Sequence, residues 1–332
     1  MTILITGGAG YIGSHMVHDL VDAGESVVVL DNLSTGFRFL IPPSVPFVAG
    51  ATGDRALVSS VIAQHRVNAI IHFAASIVVP DSVADPLSYY GNNTMNTCAL
   101  LDVAIKSGIQ HFIFSSTAAV YGNAGNAPVR EDAPTTPVSP YGTSKLMSEI
   151  MLHDAGKAHG LRFVILRYFN VAGADPKLRT GQATPAATHL IKVACETAVG
   201  KRQKMDMFGT DYPTPDGTCL RDYIHVSDLT QAHSAALAYL RSGGGSATFN
   251  CGYGRGASVL EVIAAVKRVS GRDFRVDISG RRPGDAPALV ANVDRINATL
   301  PWRPRYQNLD TIVAHALAWE KQLASRRKTS VA

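Results

Sequence analysis

The chain is poor in several features that would fix its class at once. Its 332 residues include four cysteines, and Cys98, Cys195, Cys219 and Cys251 form no C-x-x-C pair. That disfavours a disulfide framework and a zinc knuckle, so no metal site is expected and a reducing cytoplasm suits the thiols. Long apolar runs are missing too. The longest, from Ala69 to Pro80, is about half a membrane span and carries His72, so no membrane helix is expected. The opening Met1-Thr2-Ile3-Leu4-Ile5-Thr6 has neither a basic stretch nor an A-x-A cleavage site, which speaks against a secretory leader. Charged residues are only 17% of the chain, and the net charge of +5 is scattered. The densest basic runs, Lys201-Arg202-Gln203-Lys204 and Arg326-Arg327-Lys328, lack interleaved aromatics. They read as solvated surface, and no nucleic-acid partner is expected.

What is present is core material. Apolar residues make up 46% of the sequence, enough for two lobes at this length. The first half alternates short β-rich runs with helical patterns, which argues for a parallel sheet covered by helices. Strands are predicted at Thr2–Thr6, Ser26–Asp31, Pro46–Ala49, Ala69–Ala74, His111–Ser115 and Arg162–Arg167, each almost continuously apolar. Between them fall helices from Ile12 to Ala23, over Leu87–Ser107, and over Pro140–His159 with proline at the first turn. From Ala174 the rhythm breaks. Ala174–Pro185 and Phe208–Thr218 read as loops, with helices near Thr188–Val199, Val226–Arg241, Val259–Ser270 and Leu309–Ala324. A nucleotide-binding domain at 1–173 and a smaller mixed α/β domain at 174–332 are expected, with segments near 222–252 able to return to the first.

The first strand runs directly into Thr6-Gly7-Gly8-Ala9-Gly10-Tyr11-Ile12-Gly13, which opens the first helix. Gly7 permits the tight turn, Gly10 a close backbone approach to a pyrophosphate, and Gly13 a close helix–strand contact. Asp31 closes the second strand, where a carboxylate accepts both ribose hydroxyls and repels a 2′-phosphate. NAD is therefore favoured over NADP. This is a Rossmann-type, doubly wound arrangement, and the glycine spacing resembles the short-chain dehydrogenase/reductase superfamily. Further on, Tyr141 and Lys145 stand at i and i+4 on one helix face. A cation there is expected to lower the tyrosine pKa, which an unassisted phenol near 10 needs in order to act as a base. Ser115-Ser116-Thr117 ends the fifth strand, with Thr117 placed to hydrogen-bond a substrate oxygen beside Tyr141.

Arg167-Tyr168-Phe169-Asn170 ends the sixth strand, where ligands of such sheets bind. Arg221 and Arg282 suit a diphosphate, with a surface salt bridge as the competing reading, and Asp285 suits sugar hydroxyls. His225 and Asp228 read as structural. Together with His72-Phe73-Ala74, Val120-Tyr121-Gly122, Ser139-Pro140-Tyr141-Gly142 and, most specifically, Gly209–Val226, these segments resemble the extended short-chain dehydrogenases that act on nucleotide sugars. Within them the likeness is greatest to the UDP-glucose 4-epimerase family, and it covers nearly the whole chain.

That resemblance implies an NAD-dependent isomerase in which Tyr141 is the acid/base, Lys145 positions the nicotinamide ribose and Thr117 assists. The cofactor contacts it implies are Gly7, Gly10, Tyr11, Ile12, Gly13, Asp31 and Asn32 in the first βαβ unit. It adds Phe73, Ala74, Ala75, Asn93, Ser115, Tyr141, Lys145 and Tyr168 beyond it. For the UDP-sugar it implies Thr117, Tyr141, Phe169, Asn170, His189, Leu190, Phe208, Arg221, Tyr223, Arg282, Asp285 and Leu289. It also implies a homodimer formed through the helices at Leu87–Ser107 and Pro140–His159. Four positions depart from the family pattern: Ala51 for an adenine-contacting Asp, Ile77 for a phosphate-contacting Lys, His189 for Asn, and Leu289 for a bulky Tyr. The first two weaken the expected hold on NAD, and the last leaves room for an N-acetyl group. A UDP-pentose or UDP-uronate 4-epimerase remains an alternative. A 4,6-dehydratase is disfavoured because Ala118-Ala119 stands where an Asp-Glu pair would follow Thr117. A redox-sensing regulator would need neither Tyr141 with Lys145 nor the diphosphate arginines.

Overall fold

A computed structural model of the chain describes residues 1–125, 128–282 and 285–329. Strand β1 (Thr2–Thr6) leads into α1 (Tyr11–Asp22), β2 (Ser26–Asp31), β3 (Phe47–Ala49), α2 (Arg55–His65) and β4 (Val67–His72). The short helices α3 (Val79–Ala84) and α4 (Pro86–Tyr89) come next. A π-helical turn over Tyr90–Met95 then runs into α5 (Asn96–Lys106), followed by β5 (His111–Thr117), α6 (Pro140–His159) and β6 (Arg162–Tyr168). The second half supplies β7 (Asn170–Ala172), α7 (Leu190–Ala198), β8 (Lys204–Phe208), β9 (Leu220–Arg221) and β10 (Tyr223–His225). It continues with α8 (Val226–Arg241), β11 (Ala247–Cys251), β12 (Ala257–Ser258), α9 (Val259–Ser270) and β13 (Arg275–Ser279). The chain then forms β14 (Ala288–Leu289), α10 (Asp294–Thr299) and α11 (Leu309–Thr329).

Seven strands make one parallel sheet in the order β3-β2-β1-β4-β5-β6-β11. The chain moves outward from β1 to β3, then returns to build β4, β5 and β6 on the other side. The direction reverses between β1 and β4, and a crevice opens there at the carboxyl ends of the strands. Side-chain alternation divides the core. Ile3 and Ile5 of β1 join a cluster with Met16, Val17 and Leu20 of α1 and Leu229, Leu237 and Leu240 of α8. Leu4 faces the opposite layer, with Val58 and Ile62 of α2, Leu100 of α5 and Leu152 of α6. Each such side chain contributes about 1.5–3 kcal/mol on full burial. A third cluster joins α7, α9 and α11 over β8.

The doubly wound sheet is the one expected, with its predicted strand ends moved by one or two residues; the last helix runs to Thr329 and not Ala324, the pair β8–β13 was not predicted, and three further differences touch the main sheet and its cover. The helix predicted as continuous over Leu87–Ser107 contains the π turn Tyr90–Met95, which inserts an extra residue into its winding. Helix α2 was not anticipated from apolar period, because its stripe is only Leu57, Val58, Val61 and Ile62 among polar residues. Its start signal is Asp54, whose carboxylate accepts the Leu57 N–H at 3.0 Å. Strand β11 was also unforeseen, since Asn250 interrupts its apolar run. That asparagine is fully buried and satisfied, accepting from the Tyr121 hydroxyl at 2.7 Å and donating to Val129 O at 2.8 Å.

Asp222 fastens the smaller sheets to this frame. Wholly buried between β9 and β10, it accepts the N–H groups of Tyr253 and Gly254 at 2.9 Å and of Ala291 at 3.3 Å. Its own carbonyl accepts Asn170 N–H at 2.9 Å. Asp222→Ala would leave three backbone donors without their partner, the Ala291 N–H among them buried, and should destabilise the protein by on the order of 3 kcal/mol in urea titration. A loss below about 1 kcal/mol would mean water replaces the carboxylate.

Candidate active site

The crevice is built from the glycine loop outward. Gly7 has φ +70°, and a Cβ there would lie 2.6 Å from Ala74 N. At Gly13 a Cβ would lie 2.1 Å from Gly7 O, so the loop folds onto α1 only without side chains. Gly10 caps α1 with no side-chain hydrogen bond, and the first turn holds no acid. The unpaired N–H groups of Tyr11, Ile12 and Gly13 and the helix dipole therefore favour an anion there. Asp31, at the end of β2, accepts Ala9 N–H at 2.9 Å and Leu33 N–H at 2.7 Å, tying loop to strand. Burial raises its pKa. Asn32 lies exposed beside it, accepting Ser34 N–H at 3.0 Å. A dinucleotide fits this cradle.

On the far side, Phe73 N–H donates to Thr6 O at 3.0 Å, which sets Ala74 and Ala75 beneath the loop. The π turn aims Asn93 at two segments. Its Oδ1 accepts Ser76 N–H at 2.7 Å, while Nδ2 donates to Ser76 O at 2.9 Å and Ser144 Oγ at 3.0 Å. The amide is thus engaged within the protein. Tyr11 closes the loop from above, its hydroxyl donating to Gly173 O at 2.7 Å.

Ser139 caps α6 by accepting Gly142 N–H at 3.2 Å, and Pro140 presets the first turn. Tyr141 and Lys145 then face the end of β5, 7% and 3% exposed respectively. The Lys145 ammonium donates to Ser115 O at 2.9 Å and lies 4.8 Å from the centre of the Phe114 ring. Ser115 Oγ bonds His233 Nε2 at 2.9 Å, and α8 thereby braces the strand end. Tyr168 lies close by, with Ser115 as hydrogen-bond partner and its phenol pushed far up by burial.

The electrostatics correct one expectation. Lys145 was expected to lower the Tyr141 pKa, yet in the ligand-free protein burial pushes the phenol up to about 12, against the opposing hydrogen bond from Thr117. Burial also pulls Lys145 down to about 7, with the Glu149 carboxylate opposing it. Desolvation outweighs the i, i+4 attraction because both charged forms are dry.

Across the crevice the remaining residues fall into two groups. Asn170, His189, Leu190 and Tyr223 line one cleft with Gln182. His189 precedes α7, bonds Gln182 Nε2 at 2.9 Å, and has its pKa lowered by burial and then by Lys192. In the second group Arg282 stacks on Phe208, its guanidinium 3.8 Å from the ring centre. Arg221 donates to Leu220 O at 2.9 Å, Ala286 O at 2.8 Å and Asp285 Oδ1 at 3.4 Å, so here it holds the neighbouring loop. Pro283 and Gly284 of the Arg281–Asp285 motif lie outside the described residues. Leu289, opposite Arg221 in the β9–β14 register, packs against a small apolar cluster that includes Phe169, Ala118 and Val120. Ala51 and Ile77 are both exposed. His225 accepts Ser227 N–H to cap α8, and Asp228 accepts the N–H groups of Arg305 and Tyr306. Sequence reasoning missed Glu149 and His233; Glu149 was visible as the next i+4 step after Lys145.

A family profile decides the lineage. The NAD dependent epimerase/dehydratase family matches residues 3–252. The chain belongs to this family. Its dinucleotide is NAD, in keeping with Asp31 and the loop. Among relatives, the chain is 60% identical over 321 residues to a UDP-glucose 4-epimerase of Azospirillum brasilense, covering 97% of this chain and 92% of that one. It superposes with TM-score 0.93 on a Brucella ovis UDP-glucose 4-epimerase solved with NAD, at 42% identity over 96% and 97% of the two chains. A UDP-Glc/GlcNAc 4-epimerase from Campylobacter jejuni gives TM-score 0.85 at 48% identity, over 97% and 99%. Among the described residues no helix of this epimerase/dehydratase is long and apolar enough to cross a membrane. Nor is there a group of three His, Cys, Asp or Glu among them that could hold a metal ion.

Lys145 makes cofactor-free stability depend on pH. In the folded chain it loses its proton near 7, against 10.5 for an ordinary lysine, so the unfolded chain binds more protons between those limits and stability rises with pH there. Urea titrations from pH 7 to 9 should show this rise in the wild type and a shallower one in Lys145→Met. Equal slopes would contradict the burial assigned to the ammonium.

Proposed function

We infer that this chain interconverts UDP-glucose and UDP-galactose by NAD-dependent 4-epimerisation. The observation that carries the reading is Tyr141, Lys145 and Thr117 meeting at one strand end, between a dinucleotide cradle and a basic second lobe. On this reading residues 1–173 bind the cofactor and 174–332 the nucleotide sugar, with α8 and β11 returning to the first sheet.

Gly7, Gly10 and Gly13 let the loop approach the NAD pyrophosphate, with Tyr11 and Ile12 at the helix N-terminus, and Asp31 with Asn32 takes the adenosine ribose. Phe73, Ala74 and Ala75 form the floor, Asn93 and Ser115 hold it to α6, and Lys145 with Tyr168 borders the nicotinamide end. NAD held here would supply the acceptor and donor for the C4 hydride on either face of the sugar, and its positive ring would favour the Tyr141 phenolate. Tyr141 takes the proton of the sugar 4-hydroxyl, steadied by Thr117, and gives it back after the 4-keto sugar has turned about its bond to the diphosphate. The proton therefore begins and ends on the substrate, and no redox change remains. A firm grip on UDP and a loose one on the hexose are required. Asn170, His189, Leu190, Phe208, Arg221, Tyr223, Arg282 and Asp285 supply the first, while Phe169 and Leu289 border the second.

Leu289 supports a second reading, acceptance of N-acetylhexosamines, because a half-buried leucine beside Phe169 leaves more room than a tyrosine would. A homodimer is supported by an uncovered apolar face on the π-interrupted helix and α6: Leu87 is 78% exposed, Met95 69%, Ile150 52% and Met147 41%. The four cysteines, all free, fit a reducing cytoplasm.

Purified protein given UDP-galactose should form UDP-glucose, seen by the anomeric proton in NMR, without net NADH. Tyr141→Phe should slow this by about 10²–10⁴-fold. No turnover with or without added NAD would overturn the hexose assignment, and UDP-galactose turnover without UDP-N-acetylgalactosamine turnover would dismiss the second reading. Light scattering should give twice the 35.3 kDa monomer mass, reverting to one copy in Leu87→Glu/Ile150→Glu. A monomeric wild type would remove the proposed interface.

A further inference from the structure

The face of α6 that carries Tyr141 and Lys145 continues one turn on to Glu149. That carboxylate is buried, yet it does not pair with Lys145. Arg167 Nε donates to both its oxygens at 3.1 Å, Arg167 Nη2 donates to Oε2 at 2.6 Å, and Ser116 Oγ donates to Oε1. Arg167 is held in turn, donating to the Tyr121 hydroxyl at 3.0 Å and to Glu131 O at 3.2 Å, with its guanidinium 4.9 Å from the centre of the Tyr121 ring. Among the described residues Lys145 meets the Ser115 carbonyl and the Phe114 ring. Among the described residues the two histidines nearby bring no negative charge. His72 of β4 is held neutral by burial, its ring bonded to the Thr6 and Thr97 hydroxyls, and His233 of α8 reaches it only through Ser115. Tyr141 is protonated in the ligand-free protein. Among the described residues, Glu149 is the acid one turn along the helix whose charge opposes the effect of burial on Lys145.

We propose that Glu149, clamped by Arg167, is a positioning residue for the reaction: its fixed charge one helical turn away favours the ammonium form of Lys145, and the clamp stops it drawing that ammonium into a salt bridge. The donors of Lys145 then stay available for the nicotinamide ribose and for Tyr141. The proposal deepens the role given to Lys145 above and rests on that reading. A pair serving stability alone is the alternative, and it is a weak one. Buried ion pairs commonly add little over apolar isosteres, and nothing in a stability role calls for a site one turn from the lysine.

The test titrates Lys145 by NMR in protein labelled with nitrogen-15 lysine, free of cofactor and substrate, its signal assigned by loss in Lys145→Arg. Glu149→Gln should move the titration down by about one pH unit, and the acid limb of kcat should rise in pH if Lys145 is deprotonated more readily in the complex as well. Because Glu149→Gln leaves Arg167 buried alone and can unfold the chain, Glu149→Gln/Arg167→Met provides a second variant without either charge. Its Lys145 titration should also move down, while Glu149→Asp should restore part of the shift. A lowered Tm with an unmoved Lys145 titration in whichever variant folds would overturn the proposal in favour of the structural role. Since the titration needs no substrate, a chain that failed to epimerise UDP-galactose would still give a definite answer here.

Discussion

Keeping an ammonium and a phenol out of water, four residues apart on one helix, is the costly step around which the crevice is arranged. Lys145 has one carbonyl and one aromatic face as direct partners, and both its charge and that of a Tyr141 phenolate are disfavoured by burial. A surface Tyr–Lys pair would avoid this cost and would lose its effect to solvent screening. The depth that hurts the unloaded protein is what lets a bound cation count for more when one arrives. Ser115, His233, Ser116 and Glu149 hold the strand end and the helix in register around that pair, so the site is rigid before any ligand enters.

Much of this was legible in the sequence, and for identifiable reasons. Buried parallel strands write themselves as apolar runs, so β1, β2, β4, β5 and β6 could be placed. Gly7 and Gly13 are legible because their backbone contacts exclude any Cβ, and Ser139-Pro140 because capping chemistry is local. Three kinds of feature stayed hidden. Strand β11 carries Asn250, whose burial makes sense only once Tyr121 and Val129 are seen beside it. The π turn leaves no mark in periodicity. The balance between burial and charge at Tyr141 is a property of depth, which a one-dimensional pattern does not record.

The two halves are not independent in space. Helix α8 lies on the same face as α1, and His233 reaches from it to Ser115, so a residue far along the chain braces the end of β5. In return, Asn170 at the end of the first half hands its N–H to Asp222 of the second. The glycine-loop half and the smaller second half therefore share supports.

The pairing of β6 with β11 has a consequence during synthesis. Register from Val164↔Ala247 to Tyr168↔Cys251 means the outer side of β6 has no partner until residue 251 has left the ribosome. At about 5–20 residues per second that gap lasts roughly 4–17 s. Throughout it a strand whose middle, Phe163–Leu166, is apolar presents an open edge, the form of backbone most prone to pairing with a neighbouring chain. A nascent chain of this protein therefore meets its greatest aggregation hazard late, after most of the first lobe exists, and chaperone capture in that interval protects a nearly complete sheet.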